Sequence, residues 1–320
     1  MKILMVKRPS NSPRLGGLTL SGNLITNTLS AEGVQVYPHP DDRPVTVLPP
    51  VDLIWIYGEF QRVEECLPIA KSRGIPVLFN STFDGTEKRA LWIRKQLAGA
   101  GPNLFAGVFA HNTEFDDIWE GSQQVVAIPK LIQRPAHEGL PFKDRSGICI
   151  GDLTKVLRPR LGRGGDTLIK RLVGLGLPVY TVIQYGTPTQ IPEGVTAVMR
   201  GSQDKLSEML GDVRLFVQGP RYCTFEMMPL EAQAVGTPVA YPHMPQSLTQ
   251  YIGHSGFLYR NLDEMVDFIK EIYHNQTKWE AWSRMSLANV ASYHPDMLGP
   301  SLIMTLQGII NRYRRTRGQS

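Results

Sequence analysis

A chain of 320 residues, 42% hydrophobic and 20% charged, is too long for one ordinary core and points to two domains of about 150 residues each. It has no run of about 18 apolar residues, and the opening MKILMV leads directly into Lys7 and Arg8, so neither a membrane span nor a signal peptide fits and a cytoplasmic protein is expected. Cys66, Cys149 and Cys223 are widely spaced and odd in number, which argues against a disulfide framework or a zinc site and for reduced thiols.

The net charge is +5, unevenly placed. Up to residue 145 there are 16 Lys and Arg against 15 Asp and Glu; beyond it there are 18 against 14. The excess concentrates in KVLRPRLGR (155–163) and RYRRTR (312–317). Such clusters attract phosphates, nucleic acid or anionic lipid, although a basic C-terminal stretch is also an ordinary solvated feature.

In chain order, KILMV (2–6) reads as a strand, RLGGLTLSG as a glycine-rich turn, and residues 21–32 as a helix closed by Gly33. VQVYP, DLIWIYG, IPVLFN, LFAGVFAH and QVVAIP follow as strands, with helices over 61–73 and 86–98, each closed by glycine. The loop QRPAHEGLPFKDRS (133–146) marks a domain boundary. Beyond it the alternation resumes: strand 147–153, helix 164–175, strands PVYTVIQYG and VTAVMRG, helix 203–210, strand VRLFVQG, helix 229–235, strand PVAYP, a strand at 256–259, then helices 262–273 and 277–291. A last helix, 299–315, follows HPDMLGP and is expected to pack back on the first domain. Strands alternating with helices predict an α/β chain of two doubly wound, Rossmann-like domains facing a cleft, here residues 1–140 and 146–298, with ligands at the carboxyl ends of the strands.

Three stretches carry candidate chemistry. Gly16 and Gly17 follow the first strand and precede a helix, where they serve either as a tight turn or as backbone facing an anion. The third glycine of a dinucleotide fingerprint is missing, which disfavours an NAD-dependent or epimerase-like enzyme. In GDLTKVLRPRLGRGGDTLI, Lys155, Arg158, Arg160 and Arg163 crowd one loop before a helix. A diphosphate, a solvated basic loop and a DNA backbone all fit that pattern. In CTFEMMPLEAQAVGTPVAY (223–241), Pro229 opens a helix and Glu231 lies in its first turn. An acid there suits either the helix dipole or two vicinal ribose hydroxyls, and Ala232, Ala234 and Gly236 would let the helix pack close to the sheet.

That last stretch resembles the donor-site signature of GT-B glycosyltransferases, family 4 in particular, with Phe225, Leu230, Glu231, Ala232, Ala234, Gly236, Pro238 and Val239 in register. The N-terminal glycine loop and the basic loop with its GGDTLI helix resemble the same family, so the resemblance runs through most of the chain in order. It implies transfer of a sugar from a nucleoside diphosphate sugar, a UDP-sugar such as UDP-glucose being favoured, with retention and with neither metal nor separate cofactor. It also implies Glu231 as the ribose acid, Arg163 as the phosphate-binding cation, Gly16 and Gly17 beside the diphosphate, and the backbone of Met228, Pro229 and Leu230 beside sugar and phosphates. Cys223 stands where the family has its first glutamate, so that either Glu226, three residues later, holds the sugar instead or the sugar is held differently. Asp152 stands where the family has a phosphate arginine, a role open to Arg158 or Arg160. STFD (81–84) keeps only the acid, Asp84, of a family sugar-contacting motif.

Lesser candidates are His111, His243 and His254, and the acid pairs Asp41-Asp42 and Asp116-Asp117, read as solvated acids rather than metal ligands. The helix 86–98 with Lys88, Arg89, Arg94 and Lys95 reads as an amphipathic surface or as a contact with a membrane surface or polyanion. For the acceptor, the basic segments suit a polyanion such as DNA with hydroxymethylated bases, while lipid-linked and polysaccharide acceptors stay open. A non-catalytic sugar-nucleotide-binding protein is the alternative from outside enzymology.

Overall fold

The computed structural model describes residues 1–7, 17–57, 60–80, 87–108, 122, 124–136, 138–157, 164–183, 190–199, 201–219, 227–243 and 247–318. The chain divides into two compact units, Met1–Gln133 with Tyr293–Ser320, and Arg134–Ser292. Among the described residues no helix is long and apolar enough to cross a membrane.

In the first unit, β1 (Lys2–Lys7), β2 (Gln35–Pro40), β3 (Leu53–Tyr57), β4 (Val77–Asn80), β5 (Leu104–Val108) and β6 (Val125–Ala127) form a parallel sheet in the order β2-β1-β3-β4-β5-β6. Strand side chains alternate between its faces, and both faces are covered. Leu4, Val6, Ile54, Ile56, Val77 and Phe79 meet Val63, Cys66 and Ala70 of α2 (Gln61–Arg73) and Ala90, Ile93 and Leu97 of α3 (Glu87–Ala100). On the other face, Ile3, Met5, Leu53, Trp55, Leu78 and Phe105 meet Ile25 and Leu29 of α1 (Gly17–Ala31) and the C-terminal helix.

The second unit repeats the plan with β7 (Ile148–Asp152), β8 (Val179–Ile183), β9 (Val195–Met199), β10 (Leu215–Val217), β11 (Val239–Pro242) and β12 (Phe257–Tyr259), all parallel, in the order β12-β11-β10-β7-β8-β9. Its helices are α4 (Leu153–Val156), α5 (Gly165–Val173), α6 (Gln203–Asp212), α7 (Met228–Ala234), α8 (Ser247–Ile252), α9 (Leu262–Ile272) and α10 (Gln276–Ala291). One core joins Ile148, Ile150, Val179, Leu215 and Val217 of the sheet to Leu168, Ile169 and Leu172 of α5 and to Met265, Phe268 and Ile269 of α9. The final helix, α11 (Pro295–Gly318), belongs to the first unit, where Leu302, Leu306, Ile309, Ile310 and Tyr313 are buried.

The sequence reading lacks α4 and α8, and three of its boundaries depart for reasons of packing. Helix α1 begins at Gly17, so LTLSG, expected as turn, is helical. The anchoring of Ile25 and Leu29 outweighs the roughly 1 kcal/mol that an interior glycine such as Gly22 costs. Helix α3 continues through Gly99 to Ala100 rather than closing there. Helix α11 begins at Pro295, ahead of the expected residue 299, because a proline is tolerated in the first turn and the His294 carbonyl accepts from Met297 N (3.0 Å) and Leu298 N (3.1 Å). It then runs through Pro300, held by its buried face.

Two outcomes follow from these cores. Leu306→Ala, at a fully buried site on α11, is expected to cost about 2–5 kcal/mol in urea denaturation; a cost near zero would mean that α11 does not cover this face. Burial pushes the Cys66 thiol up to about 11, with Glu65 adding to the shift, and the Cys149 thiol up to about 12. At about pH 8 both should therefore resist a disulfide-exchange reagent in the native chain and react on unfolding, as read by mass spectrometry of labelled peptides.

Candidate functional site

In the second sheet the chain runs outward from β7 through β8 to β9 on one side and through β10, β11 and β12 on the other. The order therefore reverses between β7 and β10, and the carboxyl ends of these two strands flank the place where open α/β sheets bind ligands. At the end of β7, Gly151 takes φ +79°, a left-handed conformation that a side chain would resist. Its carbonyl accepts from Thr181 Oγ1 (2.8 Å), and a Cβ added there would lie 3.7 Å from Met228 Sδ. Asp152 follows, buried at 4% exposure and engaged in its own polar contact. Beyond β10, the Gln218 carbonyl accepts from the buried Tyr259 hydroxyl.

Helix α7 starts against this strand end. Met228 and Leu230 are buried in the core, so their side chains pack, and the polar side chain of the first turn is Glu231, half-buried. Seven residues do not hold a helix alone, and α7 is fastened at two points. Gln233, fully buried, donates from Nε2 to Ser255 Oγ (2.9 Å) and Ser255 O (3.2 Å), while its Oε1 accepts from Asn289 Nδ2 (3.0 Å). At the far end, the buried Arg145 guanidinium donates to Val235 O (2.7 Å), Leu140 O and Thr237 Oγ1, with Trp279 against it at 4.9 Å. Burial pulls the Arg145 pKa down to about 10, against an opposing pull from Asp212. Gly236, just past α7, takes φ +73°, the left-handed conformation that favours glycine at a helix end, and a Cβ there would face Ser283 Oγ of α10 (2.9 Å) rather than the sheet.

Glu231 has a definite partner. Gln203 Nε2, on the first residue of α6, donates to Glu231 Oε1 at 2.9 Å. Helix α6 is itself started by Ser202, whose Oγ accepts from Lys205 N (3.2 Å). Among the described residues no other hydrogen bond reaches the carboxylate, which keeps its second oxygen and further lone-pair directions on the first for other donors. A carboxylate held by one amide beside a switch point can accept paired hydroxyls.

Of the residues singled out from sequence, the structure gathers Gly151, Asp152, Met228, Pro229, Leu230 and Glu231 around the carboxyl ends of β7 and β10. Gly17 is the first residue of α1 in the other unit. Gly16, Asp84, Arg158, Arg160, Arg163, Cys223, Phe225 and Glu226 lie outside the described residues, as do His111, Asp116 and Asp117. His243 and His254 are exposed. Asp41 corrects the reading of solvated acids. It is buried at 9% exposure, beside Lys7, whose pKa burial lowers and the Asp41 charge only partly restores. Among the described residues no group of three His, Cys, Asp or Glu could hold a metal ion. Of the C-terminal arginines, Arg314 is paired with Asp52 (3.1 Å) and Arg317 lies against Gly74. Sequence reasoning missed Gln203, Gln233, Thr181 and Arg145. For Gln203 the one usable signal was its place just after an N-cap serine.

No family model and no curated protein matches the chain. Solved structures do. HepE of Anabaena, solved in complex with UDP-glucose, aligns with a TM-score of 0.71 at 12% identity, over 96% of this chain and 100% of its own. Sucrose-phosphate synthase from Thermosynechococcus elongatus aligns with 0.68 at 14% identity over 100% of both chains. The pneumococcal O-GlcNAc transferase GtfA, in complex with UDP and GlcNAc, aligns with 0.59 at 14% identity over 81% of this chain and 57% of its own. At such identities the likeness is one of architecture: two parallel six-stranded sheets with their surrounding helices give this chain the GT-B glycosyltransferase fold.

Proposed function

We propose that the chain is a retaining, metal-independent glycosyltransferase of the family 4 type that moves a sugar from a nucleoside diphosphate sugar, with a UDP-sugar as the favoured donor, to an acceptor hydroxyl. The observation that carries this reading is Glu231. Its carboxylate stands in the first turn of a helix beside the switch point of a doubly wound sheet, at the position where the signature it resembles has its ribose acid. The bound UDP-glucose of HepE and the bound UDP of GtfA support a UDP-sugar.

In this reading residues 146–298 hold the donor and residues 1–140 the acceptor. Glu231 accepts from the two vicinal ribose hydroxyls, and the backbone of Met228, Pro229 and Leu230 runs beside sugar and phosphates. Gly16 and Gly17 approach the diphosphate. The bond between the anomeric carbon and the diphosphate breaks, the acceptor oxygen bonds to that carbon on the same face, and the acceptor proton passes to the departing diphosphate. Arg158, Arg160 and Arg163 offset the charge that develops on the leaving group. Glu226 and Asp84 hold sugar hydroxyls, and Asp152, Cys223 and Phe225 complete the donor site. The basic stretch 155–163 supports a polyanionic acceptor, DNA with hydroxymethylated bases being one such class.

The test of the donor site is Glu231→Ala, expected to weaken UDP binding by about 1–3 kcal/mol in calorimetry with the thermal unfolding of the chain intact, since hydrogen bonds to a charged group are lost. Unchanged affinity would remove the assignment. Release of free UDP, GDP or ADP from a panel of nucleotide sugars is the test of catalysis. Binding without turnover by any donor, with any acceptor, would make the chain a sugar-nucleotide-binding protein instead. For the acceptor, affinity for duplex DNA should fall steeply between about 50 and 300 mM salt while donor hydrolysis does not, and a flat profile would rule DNA out.

A further inference from the structure

The geometry points to Gln203 as the positioning residue of the nucleotide site: it orients the Glu231 carboxylate toward the ribose and so sets how strongly the site discriminates for the ribose hydroxyls. The inference rests on the nucleotide-sugar reading of Glu231 and assigns a role to a residue that neither the signature nor the basic loops contain. Glu231 is half-buried in a two-turn helix whose other polar side chain, Gln233, is wholly committed to Ser255 and Asn289. The α7 backbone is therefore fixed, but a glutamate side chain still has three rotatable bonds. In solvent it would sample several rotamers, and a carboxylate that must meet two hydroxyls at once loses affinity for every rotamer it has to give up on binding.

The Gln203 amide removes that freedom. It donates at 2.9 Å to Oε1, on a side chain whose own backbone is the first residue of the ten-residue helix α6, capped by Ser202. The choice of an amide rather than an ammonium or guanidinium has a chemical consequence. A cation in this place would draw the carboxylate's charge into an ion pair, whereas a neutral donor fixes one oxygen and leaves the full negative charge available to the ribose hydroxyls. Gln203 also connects two helices that start from different strands, since α6 follows β9 and α7 follows β10, so the contact holds the carboxylate relative to the sheet and not only to its own helix.

The experiment is calorimetry of the full chain with UDP and with 2′-deoxy-UDP at fixed salt. For the unaltered protein UDP is expected to bind about tenfold more tightly than the deoxy form, and Glu231→Ala to abolish the difference. Gln203→Ala is expected to shrink the ratio to about threefold or less while the thermal unfolding midpoint stays unchanged. Gln203→Glu supplies a second readout that a purely structural residue would not move. It sets two carboxylates side by side, so UDP binding should be weak at neutral pH and recover as pH falls toward about 5, when the pair shares a proton and one partner again becomes a donor. The unaltered chain should show no such recovery. A deoxy ratio unaffected by Gln203→Ala, or a Gln203→Glu variant with a flat pH profile, overturns this inference alone. No UDP binding by the unaltered chain overturns the UDP-sugar reading and this inference with it.

Discussion

The candidate site depends on the fastening of one short helix. Helix α7 spans only Met228–Ala234, too few residues to be helical by propensity, yet it bears the carboxylate on which the functional reading rests. Its order comes from side chains that are wholly buried and wholly paired. Gln233 satisfies both ends of its amide with Ser255 and Asn289, and Arg145 ties the following carbonyl of Val235 to the 140 and 237 segments. A buried amide left half-paired would cost the desolvation of its group, so these contacts admit one placement of the helix and penalise others.

That fastening also explains how apolar and polar residues share so short a stretch. Met228 and Leu230 turn into the core and Met228 lies against Gly151 at the end of β7, while Glu231, one position further round, is left half-buried beside Gln203. The same residues that look like core therefore aim the acid. The glycine at 151 gives the strand end its left-handed turn beside the helix start, and Thr181 takes up its carbonyl. The packing of α7 and the placing of its carboxylate are two consequences of one geometry, since a repacked α7 would carry the carboxylate with it.

Much of the architecture was legible in the chain. Strands such as LIWIY and LFAGV are apolar throughout because both faces of a parallel sheet are covered, and the alternation with amphipathic helices predicted two doubly wound halves. Where the reading erred, long-range packing had overruled a local signal. Gly22 and Gly99 suggested turn and stop but lie inside helices, and Pro300 suggested a boundary but sits within α11. Asp41 looked solvated because its neighbours in sequence are polar, while its neighbour in space is Lys7. The site was less legible. Glu231 could be found because it lies in a patterned stretch, but Gln203 is 28 positions away and Asn289 further still, and no periodicity links them.

By itself, then, the sequence determined the class of fold, the order of the strands and longer helices and the acid most worth attention, because hydrophobic period, capping residues and a local motif are all properties of neighbours along the chain. Only the tertiary structure decided which partner holds that acid, that Arg145 is a buried fastening rather than a charge in a linker, and that Gln233 is committed to Ser255 and Asn289. These are outcomes of close packing between distant segments, where a single hydrogen bond or a single buried face selects among arrangements that the local pattern leaves equivalent.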